Sequence, residues 1–205
     1  MIKAIIFDVG GVILDLSSKE TLNIPTSLSV LFNISTDKAR KIWTGYDRKR
    51  LLTGKDTPNE FLQIVVKKLK VKKNTKSLLD KWTTLSLKEK DCYNWQLLDY
   101  IKDLRENFKV YILSDTVNVA QDDELTRDIK SRFDGYFVSY EQGFIKPDKE
   151  VFVNILSKTN LKPEECIFID DTFINVISAK RLGITSFLYV NLMQLKNDLS
   201  SYLHS

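Results

Sequence analysis

The segment AIIFDVGG at residues 4–11 carries the strongest structural signal in the chain. Its four apolar residues predict a buried strand, and the aspartate and glycines after them predict a tight turn. A carboxylate presented on a glycine turn at the end of a strand is suited to act as a nucleophile. A second apolar run far downstream, in IFIDD at residues 167–171, also ends in aspartates. We therefore expect two strand ends to contribute carboxylates to one site.

Composition bounds the class of protein. The 205 residues are 43% hydrophobic and 11% aromatic, which suits one domain with a sizeable core and a small insertion. Apolar runs reach only about five residues, far short of the roughly 20 that cross a bilayer. Asp8 interrupts the N-terminal apolar run, so a signal peptide is not expected. We expect a globular protein in the cytoplasm, a monomer or homodimer with no membrane partner.

Cysteine and histidine usage excludes several chemistries. Cys92 and Cys166 are too few for a disulfide framework and lack the spacing of zinc ligands, so both are expected to be reduced, with Cys166 in a strand. The single histidine, His204, lies next to the C-terminal residue, where chains usually fray. Catalysis that needs a positioned imidazole, such as a Ser-His-Asp triad, is therefore not expected.

The distribution of charge along the chain does not indicate a nucleic-acid partner. The net charge is +4, and lysines crowd one short stretch: Lys67, Lys68, Lys70, Lys72, Lys73 and Lys76. Such a cluster could contact nucleic acid, but no aromatic residues interleave with it as stacking platforms. We interpret it as a solvated helix end and loop, and we expect no nucleic-acid partner.

The pattern along the chain predicts an α/β protein. Residues 16–87 show helical periodicity, with helix starts at Ser35 and at Thr57-Pro58. Farther on, short β-rich runs alternate with helical stretches, which is typical of a doubly wound parallel sheet. We expect a Rossmann-like core of residues 1–15 and 88–205, with 16–87 inserted after the first strand as a helical block. The strands are expected at 3–7, 108–113, 136–139, 166–169 and 184–190, and the helices of the core at 94–105, 119–132, 149–159 and 175–182.

The candidate chemical groups all follow predicted strands. In sheets of this kind the crevice at the carboxyl ends of the strands binds the ligand. Asp8 follows the first strand, Ser114 the second, Lys146 the third, and Asp170 with Asp171 the fourth. Carboxylates that converge on one crevice repel one another unless a cation bridges them, and oxygen ligands suit Mg²⁺. The sequence therefore predicts a magnesium site.

The roles of several residues near the predicted metal site have two interpretations each. Adjacent residues of an extended chain point to opposite sides, so one of Asp170 and Asp171 is expected to bind the metal and the other to support it. Asn175 could hydrogen-bond the metal ligands, although capping or surface exposure explains it equally well. Ser114 could bind phosphate oxygens or cap the next helix.

Lys146 would neutralise an attacking carboxylate and a phosphoryl group held close together. The simpler interpretation of a lone lysine in a loop is that it is solvated. Pro147, directly after it, predicts the first residue of a helix.

These segments, taken in order, resemble the motifs of the haloacid dehalogenase-like hydrolase superfamily. FDVGGV at 7–12 resembles motif I, LSD at 113–115 motif II, GFIKPD at 143–148 motif III, and FIDD at 168–171 with Asn175 motif IV. RLGI at 181–184 resembles the segment after motif IV in subfamily I, and the helical block is similar to the small cap of that family. The fold implied is the Rossmann-like core of the superfamily with a helical cap.

The resemblance implies a Mg²⁺-dependent phosphatase that acts on a small phosphorylated metabolite. Asp8 would attack phosphorus to form an aspartyl-phosphate. The Asp8 and Asp171 carboxylates and the backbone carbonyl of Gly10 would hold Mg²⁺. The substrate-binding residues implied are Ser114, Asp115 and Lys146, of which Ser114 and Lys146 would bind the phosphoryl oxygens.

Two positions depart from the family pattern. Most of its phosphatases have an acid/base aspartate where this chain has Gly10, a role worth about 10² to 10⁴ in rate. Members similar to bacterial sugar-phosphate phosphatases also begin Asp-x-Gly-Asn or Asp-x-Gly-Gly. Asp115 stands where asparagine is usual, and we expect its carboxylate to turn away from the crevice or to hold a neighbouring loop.

Two alternatives remain open from the sequence. One is a catalytically weak or inactive binding module that keeps the fold, suggested by Gly10 and Asp115. The other is a metal-independent hydrolase of the dehalogenase type, which the paired acids Asp170 and Asp171 disfavour. Substrate specificity would come from the cap, where some side chains could reach the crevice, although aromatic residues at helical spacing usually belong to a core: Trp43, Tyr46, Arg48, Lys49 and Arg50.

Overall fold

The computed structural model describes residues 1–15, 23–86, 92–119 and 124–203. Its sheet has five strands: β1 (Ala4–Phe7), β2 (Lys109–Ser114), β3 (Gly135–Val138), β4 (Cys166–Asp170) and β5 (Thr185–Leu188). Their order is β3-β2-β1-β4-β5, and every pairing is parallel. The predicted doubly wound parallel sheet is therefore confirmed.

The central strand β1 explains why the site forms where it does. All four of its residues are buried, as expected for a parallel strand covered on both faces. Phe7 lies opposite Ile112 of β2 and Ile169 of β4. The residues that follow these strands consequently emerge at one edge of the sheet.

Helices cover both faces of the sheet and form a separate block between β1 and β2. Those of the block are α1 (Ile24–Phe32), α2 (Thr36–Thr44), α3 (Arg48–Leu52), α4 (Pro58–Leu69) and α5 (Thr75–Ser86). Those beside the sheet are α6 (Trp95–Leu104), α7 (Glu124–Ser131), α8 (Ser139–Gln142), α9 (Lys149–Thr159), α10 (Phe173–Arg181) and α11 (Leu192–Leu203). A short 3-10 helix, Pro163–Glu165, precedes β4.

The apolar residues form clusters that follow the alternation of the strands. Ile5 and Phe7 pack on one face with residues of α6, α7 and α11. Ala4 and Ile6 pack on the other face with residues of α9 and α10. The block α1–α5, which we call the helical insert, has a cluster of its own built around Phe61 and Trp82.

The helical insert begins and ends its helices where the sequence predicts. Ser35 caps α2, and Thr57 with Glu60 forms a capping box at α4. The chain enters the insert beside the point where it leaves, because the Asp15 N–H donates to the Cys92 carbonyl at 2.8 Å. The predicted boundaries at residues 16 and 87 fall outside the described residues.

Several predicted elements differ in extent. The helix expected over 119–132 is present as Glu124–Ser131, and residues 120–123 lie outside the described part. Helices α8 and α11 were not predicted. Helix α8 is a single turn, too short for periodicity to identify, whereas the leucines of α11 at positions 192, 195 and 199 have helical spacing.

The cysteines lie inside the protein. Cys92 and Cys166 are both buried thiols, and Cys166 is the first residue of β4, as predicted. His204 lies outside the described residues. None of the helices in the described parts of the chain has the length and apolar character needed for a membrane span.

The capping box at α4 gives a stability prediction. Thr57→Ala removes the side-chain acceptor of the Glu60 N–H and is expected to lower the free energy of unfolding by about 1 kcal/mol in urea titrations. Thr84→Ala, on the exposed face of α5, is the matched control and should change it by less than about 0.5 kcal/mol. Equal effects of the two substitutions would contradict the assignment.

Candidate active site

A buried lysine joins the ends of three strands. The Lys146 ammonium lies 2.6 Å from Asp8 Oδ1 and 2.8 Å from Asp170 Oδ2. It also donates to the backbone carbonyl of Leu113 at 3.2 Å. Its side chain is only 2% exposed, so the alternative of a solvated loop lysine is wrong. The predicted site residues Asp8, Lys146 and Asp170 are thus brought together.

Burial and neighbouring charges act on this lysine in opposite directions. Burial by itself lowers the pKa of Lys146, but the carboxylates of Asp8, Asp170 and Asp115 hold it above its usual value. The side chain is therefore an ammonium ion throughout the neutral pH range. It places a fixed positive charge beside the carboxylate of Asp8.

Asp8 is in the opposite situation. Burial raises the pKa of Asp8 to about 6; the Lys146 ammonium opposes this rise, and Asp170 adds to it. The same oxygen that contacts Lys146 accepts the Val9 N–H at 2.7 Å. Asp8 shares its cation with Asp170, so the ion pair does not fully replace the lost hydration. The ionised carboxylate is held in place at a cost in stability, as is common for reactive groups.

Asp170 is fully buried and has its oxygens occupied. Besides Lys146, it accepts the Thr172 N–H at 2.8 Å and the Asn175 side-chain amide at 3.1 and 3.0 Å. Asn175 is itself buried, so surface exposure does not explain it. This arrangement fits the prediction that Asp170 and Asn175 support the site rather than bind the metal directly.

Asp171 projects from the bend after β4. The residue as a whole is exposed, and its carboxylate accepts a hydrogen bond from the Thr172 hydroxyl at 3.1 Å. Neighbouring atoms still remove some water from the carboxyl group, and this desolvation raises its pKa. A Cβ atom on Gly11 would lie 1.9 Å from Asp171 Oδ2, and Gly11 has a φ of +76°. Only glycine allows this approach. Residue spacing did not predict this constraint, although the Gly10-Gly11 pair was a signal for it.

Carboxylates at these strand ends lie close enough together to surround a divalent cation. One oxygen each from Asp8, Asp170 and Asp171 lie within 4.8 Å of one another. The backbone bends after Asp170, which lets neighbouring residues face the same space. Carboxylate oxygens without histidine or cysteine are the donor set that Mg²⁺ prefers. The residues present therefore fit a magnesium ion.

The end of β2 contributes Ser114 and Asp115. Ser114 is buried at the last position of the strand. Both carboxylate oxygens of Asp115 accept the backbone N–H of Lys146, at 3.2 and 3.1 Å. The expectation that Asp115 holds a neighbouring loop is confirmed. Burial raises the pKa of the Asp115 carboxyl, and the Lys146 charge and N–H oppose that rise.

The interpretation of Pro147 as the first residue of a helix is wrong. Helix α9 begins at Lys149 with Asp148 at its N-cap, and Pro147 follows a cis peptide bond in the loop before it. The Asp148 side chain makes no capping hydrogen bond to its own helix. Its Oδ2 atom instead lies 2.5 Å from Lys49 Nζ in the helical insert.

Lys49 extends from α3 of the helical insert to a loop of the sheet domain. Arg50 pairs instead with Asp56 inside the insert, and the Arg48 guanidinium lies 6.0 Å from the Trp43 ring centre. Trp43 and Tyr46 pack against the apolar cluster of the insert, as aromatic residues at helical spacing usually do. The sequence did not show that, of these five candidates, Lys49 is the one that contacts a loop next to the site.

Comparisons with known proteins agree with this fold. The model of the haloacid dehalogenase-like hydrolase family matches residues 2–183. The D-ribitol-5-phosphate phosphatase of Bacteroides thetaiotaomicron is 27% identical over 216 residues, covering all of both chains. Because the family model spans most of the sequence, the chain belongs to the haloacid dehalogenase-like hydrolases. It is a hydrolase with the Rossmann-like core of that family.

Solved structures give the same result for the fold. A predicted hydrolase of this family from Porphyromonas gingivalis superimposes with a TM-score of 0.75 at 25% identity, covering 100% of this chain and 99% of that chain. A family enzyme from Bacteroides thetaiotaomicron, in complex with magnesium and inorganic phosphate, has a TM-score of 0.68 at 22% identity, with 95% and 99% covered. Family structures thus contain magnesium, and this chain has an acidic cluster at its own strand ends.

The raised pKa of Asp8 gives a prediction for the metal-free protein. Above pH 6 the ionised carboxylate destabilises the native state, because its pKa is about 6 when folded and near 3.8 when unfolded. Asp8→Asn should therefore raise the free energy of unfolding at pH 8 by on the order of 2 kcal/mol. Near pH 4 the native carboxyl is protonated, and the difference should largely disappear.

Urea titrations with a chelator present, at both pH values, measure the effect. Asp80→Asn removes an exposed carboxylate on α5 and is the control. A loss of stability for Asp8→Asn at pH 8, or an equal gain at pH 4, would show that burial does not dominate at this position.

Proposed function

We propose that the protein is a Mg²⁺-dependent phosphatase that acts on a small phosphorylated metabolite through an aspartyl-phosphate on Asp8. The observation that carries the proposal is the buried Lys146 ammonium, which contacts Asp8 and Asp170 beside the Asp171 carboxylate. An anionic nucleophile approaches an anionic phosphate ester only where cations offset their repulsion. The site provides one fixed cation and carboxylates suited to hold a second.

Asp8 would carry out the first step. One of its carboxylate oxygens forms a bond to phosphorus while the bond from phosphorus to the ester oxygen breaks, and the leaving alkoxide takes up a proton from solvent water. Water then attacks phosphorus and gives a proton back to the solvent, while the bond from phosphorus to the Asp8 oxygen breaks, which releases inorganic phosphate and regenerates the carboxylate. Lys146 stays protonated and offsets the negative charge of Asp8 and of the phosphoryl oxygens. The buried Ser114 hydroxyl would bind one of those oxygens.

We assign the metal to Asp8, Asp171 and the backbone carbonyl of Gly10. Mg²⁺ bound there would neutralise phosphoryl charge and polarise the phosphorus centre. Asp170 and Asn175 would orient the site through their mutual hydrogen bonds instead of binding the ion. Gly11 would keep space for the Asp171 carboxylate.

Phosphorylated sugars and polyols are the substrate class we propose. The D-ribitol-5-phosphate phosphatase that is similar to this chain over its whole length supports that choice. We also propose that residues 16–87 act as a cap over the core of residues 1–15 and 88–205. Lys49, which contacts Asp148 from the helical insert, favours that role because it reaches the loop that carries Lys146.

The activity prediction uses a panel of sugar, polyol and aryl phosphates. The wild-type protein should release phosphate with Mg²⁺ and stop when the metal is chelated. Asp8→Asn should reduce kcat by at least about 10³-fold, because the nucleophile is lost. Asp171→Asn should weaken the activation by Mg²⁺ and the rise in Tm that Mg²⁺ produces.

The two alternatives predict different results in the same experiment. A binding module would bind inorganic phosphate or beryllium fluoride without turning over any ester. A dehalogenase-type hydrolase would release halide from 2-haloacids in the presence of a chelator. Either result, without Mg²⁺-dependent phosphate release, would contradict the proposal.

Gly10 gives a second prediction about the reaction. It has no side chain to protonate the leaving group, so the rate of the first step should depend strongly on the leaving group. We expect kcat/KM for 4-nitrophenyl phosphate to exceed that for polyol phosphates by about 10²-fold or more. Gly10→Asp should raise kcat/KM for the polyol phosphates, which lowers the ratio of the two kcat/KM values. Equal kcat/KM values for both classes in the wild type would show that another group donates the proton.

A further inference from the structure

The end of β2 holds Lys146 at two points. The Leu113 carbonyl accepts the ammonium at 3.2 Å, and the Asp115 carboxylate accepts the backbone N–H at 3.2 and 3.1 Å. These contacts fix both ends of the lysine side chain relative to one strand. The position of the ammonium relative to Asp8 therefore depends on the loop being held by Asp115.

The acceptor of the Lys146 N–H is a charged group. A neutral amide oxygen could accept the same N–H, yet Asp115 brings a carboxylate within 3.2 Å of the Lys146 backbone nitrogen, and its charge acts on both Lys146 and Asp170. Negative charge close to the site disfavours a bound phosphate dianion by Coulomb repulsion. The Asp115 carboxylate therefore holds the loop and also repels a phosphate bound in the site.

We propose that Asp115 is a positioning residue that fixes Lys146 against Asp8, and that its charge weakens the hold of the site on inorganic phosphate. The inference rests on the proposed phosphatase function and deepens it. Positioning of Lys146 supports the attack of Asp8 on phosphorus, because an ammonium displaced from Asp8 would offset less of the negative charge of the carboxylate and the phosphoryl group. The second effect favours release of the phosphate product.

Two substitutions separate the two effects. Asp115→Asn keeps an oxygen acceptor for the Lys146 N–H and removes the charge, whereas Asp115→Ala removes both. Asp134→Ala is a matched control, because the Asp134 carboxylate accepts the Val110 N–H at 2.9 Å near the opposite end of the same strand. It should lower stability without changing kcat per folded molecule.

Three quantities are measured for each variant: hydrogen exchange of the Lys146 amide by NMR, kcat and KM, and the dissociation constant of inorganic phosphate with Mg²⁺ by calorimetry. Asp115→Ala should speed the exchange of that amide and lower kcat about tenfold, as expected for a lost hydrogen bond to an ionised acceptor. Asp115→Asn should retain most of kcat and bind phosphate about three- to tenfold more tightly.

These measurements test the role of Asp115 separately from the proposed phosphatase function. Positioning is overturned if Asp115→Ala keeps kcat and amide protection, or if Asp115→Asn loses as much kcat as Asp115→Ala. The charge effect is overturned if Asp115→Asn binds phosphate no more tightly than the wild type. A wild-type protein without phosphatase activity would refute the proposed function, and amide exchange and phosphate affinity would still judge the role of Asp115.

Discussion

The buried ammonium of Lys146 is the interaction on which the site depends. Asp8 and Asp170 end neighbouring strands, and two carboxylates in a buried space would repel each other without the cation between them. The ammonium in turn is stable there only because several carboxylates surround it. Removal of the lysine would leave these buried carboxylates without their cation, whereas neutralising Asp8 leaves Lys146 paired with Asp170.

The helical insert contacts the loops that carry this unit. Val119, just beyond Asp115, is buried in the apolar cluster of the insert, and the Thr83 hydroxyl donates to the Val119 carbonyl at 2.7 Å. The pair formed by Lys49 and Asp148 joins the insert to the loop of Lys146. The insert is thus attached to the loops after β2 and before α9. A shift of the insert would act on the groups around Asp8 through these contacts.

Much of the fold could be predicted because its signals are local. The apolar run before Asp8 and the capping residues at Ser35 and Thr57 each identify an element from a few neighbouring positions. Pro147 shows the limit of local signals. Proline is common at the first position of a helix, but here α9 begins two residues later, and the side chain of its N-cap residue pairs with a distant lysine.

The linear order of most strands and helices, and the carboxylates and lysine that follow the strands, could be read from residue type and local spacing. The contacts that these groups make could not, because they form only in the folded chain. The contacts of Lys146 with Asp8 and Asp170, and the close approach of Gly11 to Asp171, join residues far apart in sequence. Such contacts and the pKa shifts they cause depend on distance and dielectric environment, and these exist only once the chain is folded.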